Sequence, residues 1–383
     1  MRRRRAIPMF VIALGCLSAS IPETSRAAGT VGTGSAASCT EAALDAALGG
    51  GGVVIFDCGG PALIVFTATK TILADTTING SPGIVLSGGG SVRLFTASGG
   101  SLALSMLSLI NGHDTVANPG GAAISGSHDV TVSDSTLSGH VATNGGCPAI
   151  SVTDATLRIF RSTITTSNNA AATNSSAVCI NNTATLIVAN ATISGNNSGA
   201  IFASGTATIT NSTIAGNTGP PGGNTGGVLS FGSGAVTLNN TIVANNAGSG
   251  GAGQCSAAAG GTITDGGGNL QFPDALCGAT IPVADPLLGT LADNGGPTQT
   301  MALQPGSPAI DRGVALNCTL FDQRGVLPQD GDGNGSVVCD SGAYEAPRLI
   351  RPTSVPTSGT TLLGLLALLL TGLAARQLRQ RSR

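Results

Sequence analysis

Charge and aromatic rings are what this 383-residue chain mostly does without. Charged residues make up 9% of it and aromatics 3%, with no tryptophan and a single tyrosine, Tyr344. Soluble domains usually carry about 25% charged residues. The low charge excludes disorder driven by self-repulsion. The missing tryptophan removes the usual stacking platform for sugar rings. Residues 162–264, a run of 103, contain no Asp, Glu, Lys, Arg or His. Conventional acid–base catalysis needs such groups, so this segment cannot host it. There is no G-x-S-x-G, H-E-x-x-H or phosphate-binding loop, which leaves the common hydrolase, metalloprotease and nucleotide signatures unrepresented. No C-x-x-C occurs either, which argues against zinc and redox sites.

What the chain has instead is glycine, at 58 positions, with Ser, Thr, Asn and Ala around short apolar runs. These residues suit tight turns joining β-branched strands. One phrase recurs: VTVSDSTLSG from Val130, LRIFRSTITT from Leu157, LIVANATISGN from Leu186, ATITNSTIAGN from Ala207 and VTLNNTIVANN from Val236. Anchored on Leu137, Ile164, Ile193, Ile214 and Ile242, the steps are 27, 29, 21 and 28 residues. Periods in the twenties mark stacked units that cannot bury an apolar face alone. A further strand precedes each phrase, giving three short strands per coil. The fold class is therefore all-β, a right-handed parallel β-helix solenoid. From Val53 to Leu270 it should comprise about nine coils, roughly 45 Å at the interstrand spacing. The same alignment puts Asn190, Asn211 and Asn239 in one column and Asn196, Asn217 and Asn245 in another. Ladders of stacked Asn side chains explain them more economically than N-x-Ser/Thr glycosylation. Thr40–Leu48 reads as a short helix, N-capped by Thr40, covering the open end of the first coil.

Both ends carry addresses. Arg2–Arg5, an apolar run and small residues before Ala27 read as a signal peptide over 1–27. Cys16 leaves lipidation as the alternative. At the other end, 351–383 holds a sorting motif, a transmembrane segment (Gly359–Ala375) and a basic tail. Val355-Pro-Thr-Ser-Gly359 resembles bacterial C-terminal sorting signals; a simple membrane anchor is the other reading. Between them, residues 28–358 hold eight basic against eighteen acidic residues, a net of −10. That balance disfavours nucleic acid as a partner. Eight cysteines besides Cys16 suit an exported protein. Loop economy pairs Cys39 with Cys58, Cys147 with Cys179, Cys255 with Cys277, and Cys318 with Cys339.

The charged stretch on the rod is 113–161. The repeat offset stacks Asp134 on Arg161, either as a surface ion pair or as part of an outer-face site with His128 and His140. If the chain is an enzyme, these four residues are the catalytic candidates. Farther on, Asp330-Gly-Asp332-Gly-Asn334-Gly follows the first half of a calcium loop. Ser341 stands where the closing Glu belongs, and Asp340 just before it. The candidate ligands are thus Asp330, Asp332, Asn334 and Asp340, and calcium is the one candidate cofactor.

Four blocks in 285–346 resemble bacterial surface proteins called choice-of-anchor Q domain proteins. They are Asn294–Thr298, Gly306–Asp311, Asp322–Gly325 and Gly342–Glu345. Leu327-Pro328 and Ser341 depart from the pattern, where Arg-Pro and Ile are usual. The resemblance implies a β-helix similar to pectin-lyase-like and polymorphic outer-membrane repeats, surface display and exchangeable anchoring tails. It implies no catalytic residues. The expected organisation is a β-helix over 28–280 and a C-terminal choice-of-anchor Q-like cap over 281–350. The expected function is that of a non-enzymatic, surface-anchored adhesin, scaffold or spacer. Its partners would be envelope sorting or anchoring machinery, and glycans or host surfaces. A carbohydrate-active enzyme or glycan-binding protein using 113–161 is the alternative.

Overall fold

A computed structural model describes residues 27–349 except 115–119, 144, 170–174, 221–222, 224 and 249–250, together with 368–371, 373 and 376 in the tail. The signal peptide and the sorting motif lie outside the described residues. Among the described residues no helix is long and apolar enough to cross a membrane.

The apolar runs form a parallel β-solenoid with three sheets. The first has ten strands, from Ala27–Val31 to Thr262–Asp265; the second nine, from Ala62–Val65 to Leu270–Phe272. The third has eight, from Lys70–Ile72 to Cys255–Ala258. There are thus about eight complete turns, and the expected ninth lacks a third strand among the described residues. Alternation places the core. In Thr156–Phe160, Leu157 and Ile159 are buried while Arg158 and Phe160 are half-exposed. The same inward column runs through Val130, Leu157, Leu186, Ala207 and Val236.

The repeat register is as the sequence indicates for four copies: Leu137 pairs Ile164, Ile164 pairs Ile193, and Ile193 pairs Ile214. The fifth is displaced by one. Ile214 pairs Val243, and Ile242 pairs Thr213 instead. The cause is the preceding strand, Ala235–Asn239, held in five-residue register with Thr206–Thr210. Slipping it to fit Ile242 would turn Val236 and Leu238 outward. The Asn columns shift accordingly, to Asn240 and Asn246.

Those columns do different jobs. Asp134, Arg161, Asn190, Asn211 and Asn240 all turn the corner between the first and second sheets, with φ between 44° and 52°. Asn tolerates this left-handed geometry better than most residues. The other column is internal: Asn196, Asn217 and Asn246 are 0–2% exposed. The Asn196 and Asn217 amides donate to Asn217 Oδ1 (2.8 Å) and Asn246 Oδ1 (2.9 Å), and Asn246 donates to Gln254 Oε1 (3.0 Å). Each also donates to backbone carbonyls of its own or the preceding turn.

The helix Glu41–Leu48 is N-capped by Thr40, whose Oγ1 accepts from the Ala43 amide. It packs Leu44 and Ala47 against the first strands of the core. Lys70 ties it down, with Nζ 2.6 Å from Glu41 and 2.7 Å from Asp45. At the other end, Cys277 and Ile281 close the core, and Gln271 binds this loop through Cys277, Gly278 and Ile281.

All four disulfides pair as loop economy indicates. They close loops of 19 to 32 residues, and each contributes on the order of 3 kcal/mol by constraining the unfolded chain.

The remaining C-terminal segment does not sit on the rod's end as a cap. It forms a strap along the side, over the outer face of the second sheet. In Ser108–Ile110 and Thr136–Ser138 the outward residues are half-exposed. In Thr163–Thr165, Thr192–Ser194, Thr213–Ala215 and Ile242–Ala244 every residue is buried. The strap covers them. Ile242, turned outward by its register, joins Ala244, Leu270, Leu303, Ala309 and Ala346 in a second apolar cluster.

Replacing Asn217 by Ala should destabilise the rod by about 2–4 kcal/mol, because it orphans buried amide groups and opens a void. The exposed Asn197→Ala should cost less than about 0.5 kcal/mol. Paired denaturant titrations would test the contrast.

Candidate functional site

Four of the rod's aspartates share one geometry, each reaching along the stack to the next turn, whereas Asp114 pairs back to Arg93 and Asp265 bonds within its own loop. Asp75 accepts from the Ser101 amide and hydroxyl (2.9 and 2.8 Å). Asp129 accepts from the Thr156 amide (2.9 Å) and Arg158 (3.0 Å). Asp154 accepts from Asn182 and from the Thr183 amide and hydroxyl. These contacts, chiefly the Ser101 and Thr156 amides and the Asn182 side chain, hold the three carboxyls below the ordinary carboxylate range. They are inter-turn staples, ionised at neutral pH.

Asp134 and Arg161 stack as the repeat offset requires, and the pairing is bidentate. Arg161 Nε and Nη2 donate to Asp134 Oδ1 and Oδ2 at 2.7 and 2.6 Å. The Asp134 hydrogen bond raises the guanidinium above its ordinary value. Both carboxylate oxygens are engaged, one bond to each, so the pair is held as a structural clamp between turns. The two histidines are elsewhere on the coil. His128 lies on the corner before Val130–Ser133, against Ser127. His140 follows Thr136–Ser138 and is fully buried. Its Nδ1 accepts from the Gly112 amide (3.0 Å), and its Nε2 meets the Leu109 carbonyl (3.0 Å). Burial lowers His140 to about 4, so it is neutral at pH 7 and has no ring nitrogen to spare. The four candidates are not one constellation. Asp134 does line a small groove of about 250 Å³ with Met106, Ser108, Thr136, Gly296 and Pro297, at the edge of the strap. Ligand pockets usually start near 300 Å³. A wider depression of about 450 Å³, at the helix end of the rod, contains Lys70 and Asp45, already paired to each other.

The densest polar chemistry lies in the strap, at the four C-terminal blocks. Gln323, fully buried, donates to Thr163 Oγ1, Thr298 Oγ1 and the Gln299 carbonyl, and accepts from Thr192 Oγ1 at 2.7 Å. Thr298 donates to the Arg161 carbonyl. The Ala343 amide donates to Thr213 Oγ1 (3.0 Å). Gly342 has φ +99°, and a Cβ there would fall 2.8 Å from Ile242 Cδ1. Arg324 binds Asp322 (2.6 Å) and lies 3.6 Å from the Tyr344 ring centroid. The blocks are docking surfaces.

Behind them is a buried acidic group that sequence reasoning missed in part. Asp340 accepts from the Asp311 and Ala346 amides, Glu345 accepts from the Asp340 amide, and the Glu345 amide donates to Asp322. Burial, then the neighbouring Asp340 and Asp322 charges, push Glu345 up to about 8. Burial likewise takes Asp340 to about 7. Asp340 therefore belongs to this group. It is not with Asp330 and Asp332. Those two converge with Asp311, one carboxylate oxygen from each lying within 4.8 Å of the others. Asn334 braces Asp332 through its amide (2.8 Å) and side chain (2.8 Å), and its Oδ1 accepts from the Ser336 amide (2.7 Å). No spacing rule links Asp311 to the loop nineteen residues later, so the sequence offered no signal for it.

Family models, curated proteins and solved structures yield no match to this chain.

Between roughly pH 4.5 and 8 the folded chain holds a Glu345 proton that the unfolded chain has released. Stability should therefore fall as pH rises through that window, and level off below it. Glu345→Gln should flatten the dependence and raise the melting temperature at pH 8; calorimetry from pH 5 to 9 would show either.

Proposed function

We propose that this chain is an exported, non-enzymatic β-solenoid that works as a displayed adhesin, scaffold or spacer. The observation that carries the reading is the strap. Across the charge-free turns, the outer face of the second sheet is occupied by the chain's own C-terminal segment, so no extended ligand can lie along it. Four rod carboxylates offer a second support, since Asp75, Asp129, Asp134 and Asp154 are each committed to the neighbouring turn. Four disulfides favour an oxidising compartment. The choice-of-anchor Q resemblance of the strap blocks favours display at a bacterial surface, with envelope sorting or anchoring machinery as the first partner.

The competing reading, a carbohydrate-active or glycan-binding protein, has one specific feature in its favour: the groove at Asp134, beside exposed Met106. Incubation of the folded protein with a panel of acidic polysaccharides should release no unsaturated or reducing-end products. Products that disappear in Asp134→Ala or Arg161→Ala would overturn the proposal. Intact mass analysis of the native protein should find a chain beginning near Ala28 and shortened or modified beyond 350. An unprocessed chain would remove the export reading.

A further inference from the structure

The strap contains one arrangement that its docking role does not absorb. Asp330 is 7% exposed, and its Oδ2 accepts from the Gly335 amide (3.1 Å). Its Oδ1 is shut off from water and has no hydrogen-bond partner; Asp311 Oδ1 is in the same condition. A buried carboxylate oxygen with no donor is costly unless something of opposite charge meets it. Around it the backbone is drawn close. The Asp332 amide donates to Asp311 Oδ2 (2.9 Å), and a Cβ on Gly331 would fall 2.7 Å from Ile310 Cγ2. Asn334 fixes Asp332 from outside (2.8 Å), aligning its carboxylate with the other two.

We propose that Asp311, Asp330 and Asp332 form a calcium-type cation site that pins the Asp330–Ser336 loop to the Gly306–Asp311 block. With the three oxygens within 4.8 Å of one another, one point lies within about 2.8 Å of all of them, close to the calcium–oxygen range of ~2.3–2.6 Å, so a small movement of the exposed Asp332 lets all three touch one ion. The donors are hard oxygens only, which favours calcium or magnesium over zinc or copper. Calcium accepts irregular oxygen sets completed by water more readily than magnesium does. The set differs from the loop-based expectation by gaining Asp311 and losing Asn334 and Asp340. It is independent of whether the rod is inert or catalytic.

The test uses the full chain, stripped with chelator, and titrates calcium while following terbium displacement and thermal unfolding. One saturable site with a dissociation constant between roughly 10⁻⁵ and 10⁻³ M, and a rise in melting temperature at saturation, are expected. Asp332→Asn, at an exposed position that leaves the fold intact, and Asp330→Asn should each weaken binding at least tenfold. The exposed control Asp293→Asn should leave it unchanged. Absence of saturable binding at about 10 mM calcium, or equal affinity in Asp332→Asn and the parent, would overturn the site. Magnesium binding as tightly as calcium would overturn its assignment to calcium.

Discussion

Each turn of this rod must find partners for its backbone and interior polar groups in the turns on either side. Parallel strands about 4.8 Å apart place every side chain against its counterpart a period away. Any polar group that cannot be satisfied along that direction is left unpaired in a dry interior. Asn is suited to this constraint because its amide both donates and accepts, so identical residues can link in series. Asn196, Asn217 and Asn246 do so inside the coil, ending on Gln254. The few charges obey the same rule: Asp75, Asp129, Asp134 and Asp154 each reach one turn along. Scarcity of charge is a consequence of stacking, since like charges a period apart would repel at close range.

The strap extends this logic to the exterior. Four turns of the second sheet present Thr, Ser, Ile and Ala outward where a free solenoid would present larger polar groups. Thr163, Thr192 and Thr213 use their hydroxyls on Gln323, Gln299 and Ala343. A surface so matched to one peptide is poorly suited to a varied set of ligands. The surfaces left open are the first and third sheets, the early turns and the outer surface of the strap itself.

Sequence carried the fold well and the site unevenly. The inward column at Leu137, Ile164, Ile193 and Ile214 is visible because neighbouring turns need similar bulk at the same place. The cysteine pairs are visible because each closes a short loop. Ile242 misled because it follows Thr, like the earlier anchors, whereas register is set by the longer strand before it. Asp134 and Arg161 were placed together by the period, but whether such a pair reacts or merely holds depends on free lone pairs, which the sequence does not show. The strap contacts were invisible for another reason. Thr192 meets Gln323 across 131 residues, and a single docking event of that span leaves no periodic trace.

A solenoid alone is a one-dimensional stack, able to fray from either end turn by turn. Here the strap passes over the stack more than once: Thr298 and Gln299 meet the turn at Arg161 and Thr163, Val314 meets Asn240, Gln323 returns to Thr163 and Thr192, and Ala343 meets Thr213. Opening any of those turns means undocking a segment that also holds turns farther along. The middle of the molecule should thus unfold as one cooperative block, with only the turns before Thr136 free to breathe separately. A chain emerging N-terminus first would hold its early turns as a loosely coupled stack, and lock the rest only when the strap arrives.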